Sequence, residues 1–200
     1  MHNLILCGAA CAVFAVTSSA SADLVLSTGP ITGSSLAPVV QLSANPAGAG
    51  TVVHGTVQGT DIGVTLSSDE TLVTTRPSPL NFRTNDRGFN DLTIAIDDPR
   101  IAFDQGVIDL LVLQPTSAVF TANFADGTSS VQTLELTEVE GVSIAFAGTD
   151  GDLLQSVSFT TSRDISSMLG LGLGGFVSVP EPASLSVLLA GGGLLLRRRR

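Results

Sequence analysis

The sequence predicts an all-β fold, an antiparallel β-sandwich, for the middle of the chain. Three stretches, DLTIAID, GVSIAFAG and QSVSFTT, place apolar residues at every second position. This period is typical of strands that bury one face and expose the other. Several short strand-like runs, separated by turn residues at intervals of roughly 8–12 residues, favour a sandwich or barrel. The sequence between Thr51 and Val177 contains no convincing amphipathic helical pattern.

The alternating runs predict which side chains enter the core. The positions expected to face inward are Leu92, Ile94, Ile96, Val142, Ile144, Phe146, Val157 and Phe159. Their spacing places Phe120 and Phe124 in the core as well. The positions expected to face outward are Thr93, Ala95, Ser156, Ser158 and Thr160. The stretch ADGTSS predicts a hairpin turn, because Asp126-Gly127 supplies the positive φ that tight turns need.

Residues 1–22 predict a secretory signal peptide that forms a helix. Leu4–Val16 is an uncharged apolar run, and Ala20 and Ala22 form an A-x-A cleavage pattern before Asp23. The competing interpretation is a buried amino-terminal helix. Cleavage after Ala22 would remove both cysteines of the chain, so the mature protein would have no disulfide.

The remaining sequence divides into three parts. Residues 23–50 are rich in Ser, Ala, Gly and Pro and predict a low-complexity leader, with an edge strand near Val39–Leu42. Residues 51–177 form the predicted sandwich domain, which ends in LGLGLGG, interpreted as a final strand followed by a flexible connector. Residues 178–200 form a separate carboxy-terminal segment.

The carboxy-terminal segment has the layout of a short membrane helix with a basic end. Pro180 and Pro182 mark a boundary, because proline cannot continue a helix behind it. The uncharged residues 183–196 would span about 21 Å as a helix, which is short for a hydrocarbon core of roughly 30 Å. The basic cluster that follows consists of Arg197, Arg198, Arg199 and Arg200. The competing interpretation is an ordinary core or amphipathic helix, but three consecutive glycines would weaken it.

This segment resembles the PEP-CTERM sorting signal of Gram-negative bacteria. The resemblance covers about the last 22 residues and lies in their order: Val-Pro-Glu-Pro, an apolar span, and a terminal arginine cluster. It implies export, transient anchoring in the inner membrane by a hydrophobic helix, and processing by an exosortase-type membrane sorting enzyme. The resemblance assigns the sorting motif to Val179, Pro180, Glu181 and Pro182, and the positive stop to the four arginines. The later strand-like runs also resemble those of the jelly-roll domains found ahead of such tails.

Charge and composition exclude several classes of partner and reaction. The chain carries a net charge of −9, and residues 23–178 contain 17 acidic side chains against five arginines. Such a surface repels nucleic acid and anionic lipid, so we expect no nucleic-acid partner. The mature chain would contain no Cys, Lys, Trp or Tyr and a single histidine, His54. This excludes cysteine and lysine nucleophiles, and His54 lies in a strand-like run without a nucleophile elbow.

A glycoside-active enzyme is the remaining catalytic alternative, because that chemistry needs only two carboxylates. The candidate carboxylates are Asp97, Asp98, Asp104, Asp109, Glu135, Glu138 and Glu140. Sugar sites usually offer aromatic faces, and phenylalanine is the only aromatic residue here. The same composition disfavours a conventional carbohydrate-binding module, although binding through hydrogen bonds stays open.

Two acidic loops predict a calcium site as the most plausible ion chemistry. TNDRGFND groups Asn85, Asp86, Asn90 and Asp91, and GTDGD offers Asp150 and Asp152. Calcium takes six to eight oxygen ligands, which such loops supply. Neither loop matches the EF-hand spacing. The competing interpretation is that Asn, Asp and Gly are the ordinary turn residues of a β protein.

The sequence therefore predicts an exported, non-enzymatic protein of the cell envelope or of a biofilm-type extracellular matrix. A polysaccharide- or calcium-binding β-sandwich is the first alternative, and a remote glycoside-active enzyme is the second. An exosortase-type enzyme, the membrane and extracellular polysaccharide are the expected partners.

Overall fold

The computed structural model describes residues 22–30, 40–42, 49–76, 81–84, 88–137 and 139–179. Within these ranges the protein is all-β, and every pairing between strands is antiparallel. The strands are β1 (Leu24–Pro30), β2 (Val40–Leu42), β3 (Ala49–Val57), β4 (Gly63–Arg76), β5 (Asn81–Thr84), β6 (Phe89–Ile96), β7 (Ile101–Ala102), β8 (Gln105–Val112), β9 (Thr116–Phe124), β10 (Ser129–Leu136), β11 (Glu140–Gly148), β12 (Leu154–Ile165), β13 (Ser167–Gly174) and β14 (Val177–Ser178). The described ranges contain no α-helix, and their one helical element is a 3-10 turn at Thr149–Gly151.

Twelve strands form one large sheet, and the order of hydrogen-bonded neighbours along it defines a path. The order along the path is β1-β11-β8-β13-β5-β4-β6-β12-β9-β10, with β3 also paired to β4 and β2 paired to β3. Side chains from both halves of this path enter one continuous apolar core, including Ile144 from β11 and Phe159 from β12. The two ends of the path, β1 and β10, contact each other. The architecture is therefore β-sandwich-like, with β7 and β14 forming a separate small sheet.

The three alternating runs form strands with the predicted orientation. In β6, β11 and β12, the positions expected to face inward are at most 7% exposed. The intervening positions in these strands are half-buried or exposed. Phe120 and Phe124 are also buried, and the Phe120 ring lies against that of Phe159 with centroids 5.4 Å apart. The period-two prediction is confirmed at each of these strands.

The predicted hairpin turn between β9 and β10 is confirmed. Gly127 has a φ of 87°, a conformation that glycine adopts without steric cost. The Asp126 carboxylate accepts hydrogen bonds from the backbone N–H of Thr128 at 2.8 Å and from its hydroxyl at 2.6 Å. These bonds to the charged form lower the pKa of Asp126 below its ordinary value.

The sheet also includes residues on the amino-terminal side of Thr51, where the sequence predicted a leader with an edge strand. That edge strand is present as β2, which pairs with β3. The stretch Leu24–Pro30, which no alternation predicted, pairs along its whole length with β11, and Leu24 is fully buried. LGLGLGG contributes most of β13, which pairs with β8 in the centre of the sheet path.

The predicted terminal helices lie outside the described residues, apart from Ala22 at the end of the signal and residues 178 and 179 at the start of the tail. In the part of the chain that the structure describes, no helix is long and apolar enough to cross a membrane.

Candidate functional site

The first residue of the predicted sorting motif is attached to the folded part of the protein. The backbone N–H of Val179 donates a hydrogen bond to the carbonyl oxygen of Arg100 at 2.7 Å, directly after the β14 strand. Val179 itself is half-buried. The rest of the predicted sorting signal lies outside the described residues: Pro180, Glu181, Pro182, Arg197, Arg198, Arg199 and Arg200. The assignment of these residues to a sorting signal stays a prediction.

The predicted signal cleavage site borders the first strand. Ala22 is 3% exposed and belongs to the apolar core, whereas Ala20 lies outside the described residues. The next residue, Asp23, is exposed, and its backbone N–H donates to the Thr149 hydroxyl at 3.3 Å. The predicted cleavage bond therefore joins a buried residue to an exposed one.

Asp23 makes what we name the closing contact, its hydrogen bonds to Ser130 and Gln132 of β10. The Ser130 hydroxyl donates to Asp23 Oδ1 at 2.5 Å, and the Gln132 Nε2 group donates to the same oxygen at 3.4 Å. The Leu24 backbone N–H also donates to it, at 2.8 Å. The Ser130 bond, followed by the bonds from Leu24 and Gln132, lowers the pKa of Asp23. The contact brings the two ends of the sheet path together.

The first acidic loop is only partly described, and its described residues belong to a strand. Asn85 and Asp86 lie outside the described residues, whereas Asn90 and Asp91 lie in β6. The Asp91 carboxylate accepts hydrogen bonds from the Ser68 hydroxyl at 3.1 Å and from the Asp69 backbone N–H at 3.1 Å. Asp91 therefore joins β6 to β4.

The second acidic loop is the 3-10 turn between β11 and β12. Asp150 is exposed and has a φ of 52°, which non-glycine residues adopt rarely. The Thr149 hydroxyl lies 3.5 Å from Asp152 Oδ2. Across the described ranges, no three His, Cys, Asp or Glu side chains come together in a way that would hold a metal ion. The calcium hypothesis at either loop stays a prediction.

The single histidine expected in the mature chain belongs to a polar network on the outer face of the sheet. His54 lies in β3 with its side chain exposed, and its Nδ1 atom is 2.9 Å from the Thr65 hydroxyl. That hydroxyl donates to Asp97 Oδ1 at 2.6 Å. The Thr65 hydroxyl therefore lies between the His54 ring and the Asp97 carboxylate and bonds both.

The other candidate carboxylates are dispersed. Asp98 forms an ion pair with Arg100 at 2.8 Å, and the hydrogen bonds from the Arg100 side chain lower the pKa of Asp98. Asp109 is 7% exposed in the middle of β8, between β11 and β13. Asp104 lies beside Gly175, and its buried Oδ1 atom has no hydrogen-bond partner among the described residues. Glu135 and Glu140 are exposed, and Glu138 lies outside the described residues.

A feature that the sequence analysis missed is a line of hydroxyl groups on the outer face of one layer, which we name the hydroxyl row. It consists of Ser67, Thr93, Ser158 and Thr121. These residues are register partners on four neighbouring strands, β4, β6, β12 and β9. The sequence predicts that Thr93 and Ser158 face outward, but the alignment depends on strand register, which single runs do not reveal.

The outer face of the other layer carries a shallow apolar groove. Its volume is about 120 Å³, and its lining includes Val25, Val107, Ala145 and Ala147 from β1, β8 and β11. Val25 is 50% exposed there. The two outer faces therefore differ in chemistry, since one is apolar and formed by small side chains and the other carries hydroxyl groups.

Comparison with family models, with curated proteins and with solved structures finds no match to this chain.

Proposed function

We propose that this chain is an exported, non-enzymatic protein of the cell envelope or of a biofilm-type extracellular matrix. In this proposal a signal peptide helix directs export, and a PEP-CTERM signal with a hydrophobic helix directs sorting. The ectodomain is a jelly-roll-like sandwich. The observation that carries the proposal is the order of features in residues 179–200: Val-Pro-Glu-Pro, an uncharged span and four arginines.

The structure supports this proposal at the junction between fold and tail. Val179, the first residue of the motif, is bonded to Arg100 and directly follows β14. Since β14 belongs to the small sheet with β7, release of Val179 from Arg100 would leave the pairing of the main sheet intact. The partners of the proposal are an exosortase-type enzyme and the inner membrane, and the final location is the envelope or the extracellular space.

The side-chain chemistry supports a role without catalysis. His54, the one histidine expected in the mature chain, lies exposed in strand β3 and not in a nucleophile elbow. The acidic composition, with its net charge of −9, favours solubility outside the cell. An extracellular structural or binding role needs only a stable surface, which the sandwich supplies.

The intact mass of the protein from its native host tests the proposal. We expect a carboxy terminus near Pro180 to Pro182, without the terminal arginines, and an amino terminus at Asp23. Replacement of the four arginines by serine should reduce retention in the membrane, because the positive stop is removed. Arg163→Ser is the matched control, since Arg163 is exposed and its guanidinium bonds the Gln114 side chain. Full-length carboxy termini on most of the extracellular protein would contradict the proposal.

A further inference from the structure

The hydroxyl row is regular in both position and spacing. Ser67 pairs with Thr93, Thr93 with Ser158, and Ser158 with Thr121, so the four side chains form one line across four strands. Neighbouring strands lie about 4.8 Å apart, so the line extends for about 14 Å. All four side chains are half-buried, as expected for short groups that point out of a sheet face.

The hydroxyl groups of the row are available to a ligand. None of the four takes part in a hydrogen bond in the described structure, whereas Thr65, Ser68, Ser130 and Thr149 all do. Each hydroxyl can donate one hydrogen bond and accept two. The row therefore offers four donors and several acceptors along one line, and no other side chain of the described structure occupies them.

The chemistry around the row disfavours an anionic partner. The row contains no charged side chain, although the protein as a whole has a net charge of −9. Carboxylates lie on both sides of the row: Thr65 of one neighbouring register row bonds Asp97 at 2.6 Å, and Asp91 belongs to the other, where it pairs with Thr160. An anionic partner would be repelled by these carboxylates and by the negative net charge of the protein.

Apolar contacts flank the row at both ends. Val52 of β3 pairs with Ser67, and Val131 of β10 pairs with Thr121. The two valines are 44% and 62% exposed. A partner that spans the row would therefore form hydrogen bonds in the middle and contact methyl groups with its C–H surfaces at the ends.

We propose that the hydroxyl row binds a neutral, linear polysaccharide laid across β4, β6, β12 and β9. Such a polymer presents hydroxyl groups that donate and accept along its length, together with apolar C–H faces, and it carries no charge. The binding needs no aromatic platform, because the row supplies hydrogen bonds in series. This inference rests on the proposed extracellular role, in which matrix polysaccharide is accessible to the protein.

Affinity electrophoresis of the purified full chain tests the inference. The gels contain one of three neutral polysaccharides, hydroxyethylcellulose, galactomannan or dextran, or the anionic alginate as a comparison. The test variant is Ser67→Ala with Ser158→Ala, which removes two hydroxyl groups from the row. The matched control is Ser27→Ala with Ser143→Ala, on the outer face of the opposite layer. Thermal unfolding of each variant checks that it is folded.

We expect retardation of the wild-type chain by at least one neutral polysaccharide and none by alginate. The row variant should bind about tenfold more weakly, since two hydrogen bonds of the usual net strength are lost. The control variant should bind like the wild type. Four outcomes would overturn the inference: no retardation by any neutral polysaccharide, an equal effect of both variants, retardation by alginate that depends on the row, or row-dependent self-association without polysaccharide binding.

The experimental outcomes distinguish a failure of the polysaccharide site from a failure of the proposed sorting function. A chain that is processed at the sorting motif but is not retarded would overturn the polysaccharide site alone. A chain that is retarded but keeps its carboxy-terminal arginines would overturn the sorting proposal alone.

Discussion

The carboxylate of Asp23 accepts a hydrogen bond from the hydroxyl of Ser130, a residue 107 positions later in the chain. Asp23 lies directly before β1, and Ser130 lies in β10. Since β1 and β10 are the two ends of the sheet path, this bond connects elements that no backbone ladder joins. The closing contact therefore restrains the two edges of the sandwich, together with a hydrogen bond from the Leu24 backbone N–H to the Ser130 hydroxyl at 3.3 Å.

We predict that the closing contact makes stability dependent on acid pH. The bonds to Asp23 lower its pKa below the ordinary value of 3.8, so ionised Asp23 favours the folded state. This contribution is complete above pH 3.8 and is lost as the pH falls through the lower folded-state pKa. Ser130→Ala should lower Tm at neutral pH and reduce the loss of Tm between about pH 5 and about pH 2. Ser129→Ala, on the exposed face of the same strand, is the control, and equal acid profiles in both variants would contradict the prediction.

The core of β11 gives a second prediction. Ile144 is fully buried between Val142 and Phe146, whereas Ser143 is half-buried and lies on the outer side of the strand. Ile144→Ala should reduce the free energy of unfolding by about 2–5 kcal/mol, since it leaves a cavity in the core. Ser143→Ala should change it by less than about 0.5 kcal/mol. Urea denaturation measures both values, and similar losses would show that the strand has no solvated face.

A third prediction concerns Gly106 in β8, which lies under an aromatic ring. A Cβ atom at this position would lie 2.3 Å from Cζ of Phe146 and 2.9 Å from Cδ2 of Leu173. Gly106→Ala should therefore destabilise the protein by about 1–3 kcal/mol through overpacking. Gly29→Ala in β1 is the matched control, because a Cβ atom there would meet no atom within 4 Å. A neutral Gly106→Ala variant would mean that the Phe146 ring can move aside.

The calcium hypothesis leads to a fourth prediction. If the turn at Asp150 and Asp152 binds calcium, the ion should raise Tm. At a calcium concentration a hundredfold above Kd, the free energy of unfolding should increase by about 2.7 kcal/mol. Asp150→Asn should abolish this rise, and Asp61→Asn, a change in another exposed aspartate, should leave it intact. An unchanged Tm at millimolar calcium would favour the interpretation of these residues as ordinary turn residues.

The strands that the sequence predicted well are those with one solvated face. β6, β11 and β12 alternate in polarity, so a period of two residues locates Ile94, Ile144 and Phe159 in the core. Leu24–Pro30 was missed because LVLSTGP lies in a Ser-, Gly- and Pro-rich stretch. This strand is held by its pairing with β11, more than 100 residues later, and local pattern carries no information about such a partner.

The candidate sites were less predictable, since they depend on which strands become neighbours. Asp91 was grouped with a loop from its sequence surroundings, but it lies in β6 and bonds to Ser68 of β4. The outward positions of Thr93 and Ser158 followed from alternation. Their alignment with Ser67 and Thr121 required the register of four strands, which the tertiary structure sets.

If the chain is exported as proposed, the burial of Ala22 bears on the order of folding and signal cleavage. Asp23 and Thr149 bond each other across 126 residues, so the first strand cannot dock until almost the whole domain has been synthesised. Contacts of such long sequence separation form slowly, because loop closure must come before the contact. We expect the chain to cross the membrane unfolded and signal peptidase to reach Ala22 while β11 is still unpaired. Folding before export would bury Ala22 before signal peptidase reaches it. A variant that folds too early should therefore accumulate as uncleaved precursor.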